Sequence, residues 1–151
     1  MAIAVPITGE PVSAAWGASV ANALNAKPFA VTQLGNGQAN STGAIITCCT
    51  LVVPAQSVAG MLVVTGDLRL DSSVAGDQCE VHVKNNGVST GRRFYIGAAF
   101  YYFSLTRALP TVAGVANTLI LTAQRLTGTS NLSVFTEPAD VNRLTAVWLP
   151  T

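Results

Sequence analysis

The sequence predicts an all-β fold: an antiparallel β-sandwich or jelly roll of about eight strands, preceded by an N-terminal arm and a short α-helix. Three observations carry this. Segments alternating apolar and polar residues at period 2 run from residue 29 to the end. Turn-forming residues separate them at short, regular intervals. Half of the 151 residues are hydrophobic while only 10% are charged, enough apolar material for one well-filled core. The division expected is residues 1–28 for arm and helix and 29–151 for the sandwich.

Met1 to Glu10 reads as an extended arm, with breakers at Pro6 and Gly9. A helix follows from Val12 to Asn25. Pro11 suits its first turn, and Val12, Trp16, Val20, Ala23 and Leu24 recur on one stripe. So short a helix is marginal alone. Its stripe must dock either on its own domain or on a neighbour, and Val12, Trp16, Val20 and Leu24 are the candidate anchor residues.

Strands then follow in order. Phe29–Leu34 leads into the polar loop GNGQANSTG. Ala44–Val53 is apolar on both faces, the pattern of a strand buried between layers. Gly60–Leu70 puts Leu62, Val64, Leu68 and Leu70 on one face, while the other runs from Met61 and Val63 to Asp67 and Arg69. Asp77–Lys84 turns Cys79, Val81 and Val83 inward and Gln78, Glu80, His82 and Lys84 outward. Asn85-Asn86-Gly87 signals a hairpin turn, with Val88–Ile96 returning. Two long strands within Ala98–Thr127 are joined by a loop built on Pro110 and Gly114. Ala99, Tyr101, Phe103 and Leu105 share a face of the first, Leu119, Leu121 and Ala123 a face of the second. The two read as a core pair needing another sheet against it. Asn131–Phe135 and Val141–Leu149 close the chain, the latter with Leu144, Ala146 and Trp148 on one face.

Residues 43–149 resemble the small jelly-roll domains, related in shape to the tumour-necrosis-factor and C1q group, of fibres and surface proteins of tailed bacteriophages. The resemblance is carried by TLVVPAQSVAGMLVVTGDLRL, CEVHVKNNGVSTG, ANTLILTAQRLTGTSNLSV and NRLTAVWLP. The stretch VPITGEPVSAAWGASVANALN is similar to the leaders of small virion proteins, tail-associated ones especially, in phages of actinobacteria. The resemblance implies a homotrimer displayed on a phage particle, as a minor tail protein or a capsid decoration. It would be assembled in the host cytoplasm and contact other virion proteins.

Charge and composition narrow the function. A formal net charge of +1 leaves no electrostatic footprint for nucleic acid. No window reaches ~18 consecutive apolar residues, so no membrane insertion is expected, and the N-terminus lacks the basic and apolar regions of a secretory signal. A mean hydropathy of +0.45 with so few charges points instead to burial against other subunits. The exposed even face of the first long strand, Phe100 and Tyr102, is the candidate subunit interface.

No catalytic set is expected. The single histidine, His82, sits on a polar face between Glu80 and Lys84 and reads as a solvated or interface side chain. Asp67, Asp71 and Asp77 cluster around the loop DSSVAGD. They read as turn-forming acids, with Ca²⁺ ligation or a glycosidase pair as the sharper alternatives. Glu137 and Asp140 read as loop acids. Cys48 and Cys49, being adjacent, should point to opposite faces. With Cys79 they read as buried thiols, against a disulfide from Cys79 to one of the pair. No phosphate-binding motif exists, and neither cofactor nor metal is expected. Tyr101 and Tyr102 point to opposite faces, so one could stack on a sugar; a glycan-binding module for host recognition is the alternative to a structural role.

Overall fold

The computed structural model describes residues 27–32, 39–41, 43–72, 74, 76–96, 100–129, 131–135 and 142–150. The expected arm and helix, with Val12, Trp16, Val20 and Leu24, lie outside the described residues, as do Glu137 and Asp140.

Alternation makes strands wherever it was read, and the described residues form ten. They are β1 (Lys27–Thr32), β2 (Ala39–Ser41), β3 (Ile46–Val53), β4 (Gly60–Ser72), β5 (Asp77–Asn85), β6 (Val88–Ile96), β7 (Phe100–Thr111), β8 (Asn117–Thr127), β9 (Leu132–Phe135) and β10 (Arg143–Pro150). Every pairing is antiparallel. In the first sheet β4 is central. β7 runs along one edge of it, while β10 and then β9 share the other; β1 flanks β10 and β2 flanks β9. The second sheet has the order β3-β8-β5-β6. Setting aside the short β2 and β9, the sheets read β1-β10-β4-β7 and β3-β8-β5-β6, the double-Greek-key order of a jelly roll.

The core lies between the sheets. Leu62, Val64, Leu68 and Leu70 of β4 and Leu144, Ala146 and Trp148 of β10 face Val81 and Val83 of β5, Leu119, Leu121 and Ala123 of β8, and Leu51 and Val53 of β3. Two buried glycines of β4 permit close approaches. A Cβ on Gly66 would lie 2.8 Å from Leu121 Cδ1, and one on Gly60 would lie 2.5 Å from both Leu149 O and Trp148 Nε1. The Trp148 indole, packed over Gly60, donates its Nε1–H to Thr111 Oγ1 at 3.3 Å.

One end of the sandwich is tied by asparagines. Asn86 (φ 47°) and Gly87 (φ 85°) form the β5–β6 turn, the left-handed pair that a two-residue hairpin requires. Asn86 N–H donates to Thr118 O at 3.0 Å, and its side chain accepts from Thr118 N–H at 2.8 Å and donates to Ala116 O at 3.1 Å. Beside it Asn85 Nδ2 donates to Asn117 Oδ1 at 3.0 Å. Gly114 N–H donates to Gln56 O at 2.8 Å, drawing the β3–β4 connection to the same end.

Four expectations need correction. The two long strands are not a core pair: β7 belongs to the first sheet and β8 to the second, and the connection crosses between them. Pro110 lies within β7 rather than in the loop, tolerated because β7 has β4 alone as partner among the described strands, and proline is accepted on sheet edges. β3 is not covered on both faces. As the edge strand of its sheet it leaves Thr47, Thr50 and Val52 exposed. Nor do Cys48 and Cys49 point apart: the register with β8 shifts between Thr47 and Cys49, and this bulge turns both thiols inward.

Candidate functional site

The side chains that β4, β7 and β10 turn away from the core form the most differentiated surface among the described residues. Register lines them up in rows across three strands. At the end where β4 begins, the rows are Pro110–Met61–Leu149 and Ala108–Val63–Val147. A hydroxyl row, Thr106–Thr65–Thr145, comes next, with Thr65 and Thr106 Oγ1 atoms 3.1 Å apart. Beyond it lies Ser104–Asp67–Arg143, where Arg143 Nη2 donates to Asp67 Oδ2 at 3.2 Å. Tyr102 and Arg69 follow, the guanidinium carbon 5.7 Å from the ring centroid. The face thus grades from apolar to charged along one strand direction.

Tyr102 stands out. Its side chain is 73% exposed, held by Arg69 from the neighbouring strand rather than buried. A cation over an aromatic ring at this distance is attractive. The β4 backbone beneath is itself fixed, since Arg69 N–H donates to the buried Asn142 Oδ1 at 3.1 Å. Phe100 occupies the position of β7 opposite Asp71; its side chain lies outside the described residues. Tyr101 points to the other face, as alternation requires, yet remains exposed near the end of this edge strand.

The three loop acids do not converge. Asp67 and Asp71 lie on the outer face of the first sheet. Asp77 starts β5 in the second sheet, only 2% exposed, with its carboxylate filling the space beside Gly128. Among the described residues no group of three or more His, Cys, Asp or Glu could hold a metal ion.

His82 is not merely solvated. On the outer face of the second sheet its Nδ1 shares a hydrogen bond with Ser89 Oγ, and its Nε2 lies 2.9 Å from Glu80 Oε2. A serine and a carboxylate on the two imidazole nitrogens is the connectivity of a nucleophilic serine site. Such chemistry also needs donors aimed at a developing oxyanion. The His82–Ser89 hydrogen bond ties β6 to β5 across the sheet. Ser89 escaped the sequence reading because its approach depends on the two-residue turn, which places it opposite Lys84 and diagonal to His82. Ser104 and Arg143, and the partnership of Arg69 with Tyr102, were likewise not indicated; they follow from the registers of β7 and β10 with β4.

All three thiols are buried. None of the three forms a disulfide. Burial, reinforced by the neighbouring Cys49, pushes the Cys48 thiol up to about 12, against a lowering backbone hydrogen bond at Ala123. Burial and the Asp77 charge push Cys79 up to about 11, partly offset by Arg125.

No protein-family model matches this chain, and no curated protein matches its sequence. Solved structures do share the fold. Dimeric latent PorU from Porphyromonas gingivalis superposes with a TM-score of 0.53 at 15% identity, over 83% of this chain and 13% of that one. T=1 particles derived from infectious bursal virus give 0.51 at 16% identity, over 84% of this chain and 37% of that one. The infectious bursal disease virus VP2 subviral particle gives 0.50 at 13% identity, over 83% and 33%. The chain therefore spans well under two thirds of each of these longer proteins, and at such identities the likeness is one of fold.

Proposed function

We propose that this protein is a structural, non-enzymatic component of a virion: a small surface-displayed protein of a tailed bacteriophage, either a minor tail protein or a capsid decoration. It would act as a homotrimer in contact with other virion proteins, attached through residues 1–28. The observation that carries the proposal is the jelly-roll strand order, together with the superposition of more than four fifths of the chain on virus-particle structures. The apolar rows on the outer face of the first sheet and the small number of charges support it, because subunit contacts consume such surface. The deciding experiment is deletion of residues 1–25, followed by sedimentation of purified protein with particles. Co-sedimentation should be lost; undiminished binding would remove the anchor.

A second reading, recognition of a host-surface glycan, is favoured by one specific arrangement. An exposed aromatic ring, Tyr102, stands beside Arg69, with Asp67, Ser104 and Arg143 one row away. Sugar rings stack on such faces while their hydroxyls bond to neighbouring carboxylates and guanidinium groups. A glycan array probed with the intact oligomer should give signals that Tyr102→Ala abolishes; an empty array would leave only the structural role.

A further inference from the structure

We infer that the end of the sandwich built by the β3–β4, β5–β6 and β7–β8 connections is the contact through which copies of this chain associate. The inference rests on the self-association in the proposed function and says where that contact lies. Its members are residues 54–59, the Asn86-Gly87 turn with Val88, and residues 112–116. The apolar rows at the start of β4 adjoin them, because Met61 lies opposite both Pro110 and Leu149 directly behind these connections.

Chemistry is the first argument. Val58, Val88, Val112 and Val115 are between 41% and 73% exposed, and Val52 stands out beside them at the end of β3. The three connections contain no acidic, basic or aromatic residue. Continuous with the outer-face rows, they make an uncharged apolar surface of about twenty residues, the number that a standard interface takes from each partner. Soluble monomers rarely leave so large an apolar patch open. The lack of aromatic and basic side chains disfavours a lipid surface, whose binders carry both, and gives a sugar ring nothing to stack on.

Rigidity is the second. The connections are tied to one another. Gly114 N–H donates to Gln56 O at 2.8 Å, Gln56 Nε2 to Pro54 O at 2.7 Å, and Val115 N–H to Val112 O at 3.3 Å. Asn117 Nδ2 donates to Val115 O at 3.3 Å, and Asn86 Nδ2 to Ala116 O at 3.1 Å. With these backbone groups engaged, a partner meets chiefly methyl groups, and little polar surface is stripped of water on contact. A surface fixed before binding also loses little conformational entropy when it docks.

Charge is the third, and it selects a second copy as the partner. Around a symmetry axis identical residues come near one another, and like charges brought together there are costly. The far end of the first sheet's outer face, with Asp67, Arg69 and Arg143, would incur that repulsion. The connections bring together valines, alanines and small polar residues only. A foreign partner imposes no such restriction, since its own charges can answer those on the rim.

The test is sedimentation equilibrium of the full chain at micromolar concentration. The unmodified protein should have a multiple of the 15.6 kDa chain mass. Val88→Asp combined with Val112→Asp should weaken association by about a hundredfold, with the far-UV circular dichroism unchanged because both side chains are exposed. A double variant that stays associated while Tyr102→Asp dissociates would overturn the inference and leave self-association standing. An unmodified chain that is monomeric, whether or not it floats with phosphatidylcholine vesicles, would overturn the inference and the homotrimer together; co-sedimentation with particles would then still judge the virion reading by itself. A second readout needs no variant. Amides of residues 54–59 and 112–116 should exchange about fivefold slower at micromolar than at nanomolar concentration, and exchange independent of concentration would overturn the inference.

Discussion

Cys48 and Cys49 meet the core together because β3 carries one residue more than its partner at that point, and a bulge leaves no mark in an alternation pattern. Their direction was therefore not legible in the sequence, whereas their burial was. Both Cys48 and Cys79 have folded pKa values raised above the ordinary thiol value of 9.0. Below pH 9 the folded and unfolded chains keep these protons alike, and the stability from neutral burial is complete. Above it the unfolded chain releases them first, so stability falls by about 1.4 kcal/mol per pH unit for each thiol until the folded value is reached. Thermal melts should show the midpoint dropping between pH 9 and 11, and a thiol reagent at pH 8 should label no cysteine until denaturant is added. Two glycines give a second residue-level expectation. Gly60→Ala forces a methyl against the Leu149 carbonyl and the Trp148 ring, for a cost of about 3 kcal/mol. Gly66→Ala meets only the tip of Leu121 and should cost about 1 kcal/mol. Urea titrations of the two variants should rank them in that order. Arg143→Ala, breaking an exposed pair with Asp67, should move the midpoint by less than the equivalent of ~1 kcal/mol.

Strands were readable as elements because one buried face imposes period 2, and the inward sets of β4, β5, β8 and β10 are those that alternation indicated. Which strand lies beside which was not readable for β7 and β8, since alternation reports a face and never a neighbour. The β5–β6 hairpin is the exception: Asn86-Gly87 encodes both the turn and the partner. Its asparagine does more than turn the chain, because three hydrogen bonds fasten it to Ala116 and Thr118 at the start of β8. Asn86→Ala should therefore cost about 2 kcal/mol, through a left-handed backbone without a helpful side chain and through unmade hydrogen bonds. Gly87→Ala, whose penalty is conformational alone, should cost about 1 kcal/mol. Chemical denaturation of the pair separates these contributions. The outer-face gradient of β4 was visible in the sequence as Met61 and Val63 giving way to Asp67 and Arg69. That Tyr102 joins it beside Arg69 required the β4–β7 register.

At the scale of the whole molecule, composition announced surplus apolar surface, and the fold shows where some of it lies: on the outside of the first sheet, at the end where β1 begins. If Tyr102 lies in a subunit contact, Tyr102→Asp should convert the oligomer to monomer in sedimentation at micromolar concentration; an unchanged mass would move the interface elsewhere. β10 separates β1 from β4, so a chain ending at residue 141 should lack a cooperative thermal transition. That central place of the last strand has a consequence for biosynthesis. Lys27 waits for Trp148, about 120 residues behind it, which at ribosomal speed is roughly 6–24 s. During that interval β4 has one edge and β1 has no partner, so the nascent chain displays pairing-competent backbone to everything nearby. The first sheet therefore closes only once β10 has been made, and until then the chain is open to mispairing with its own copies.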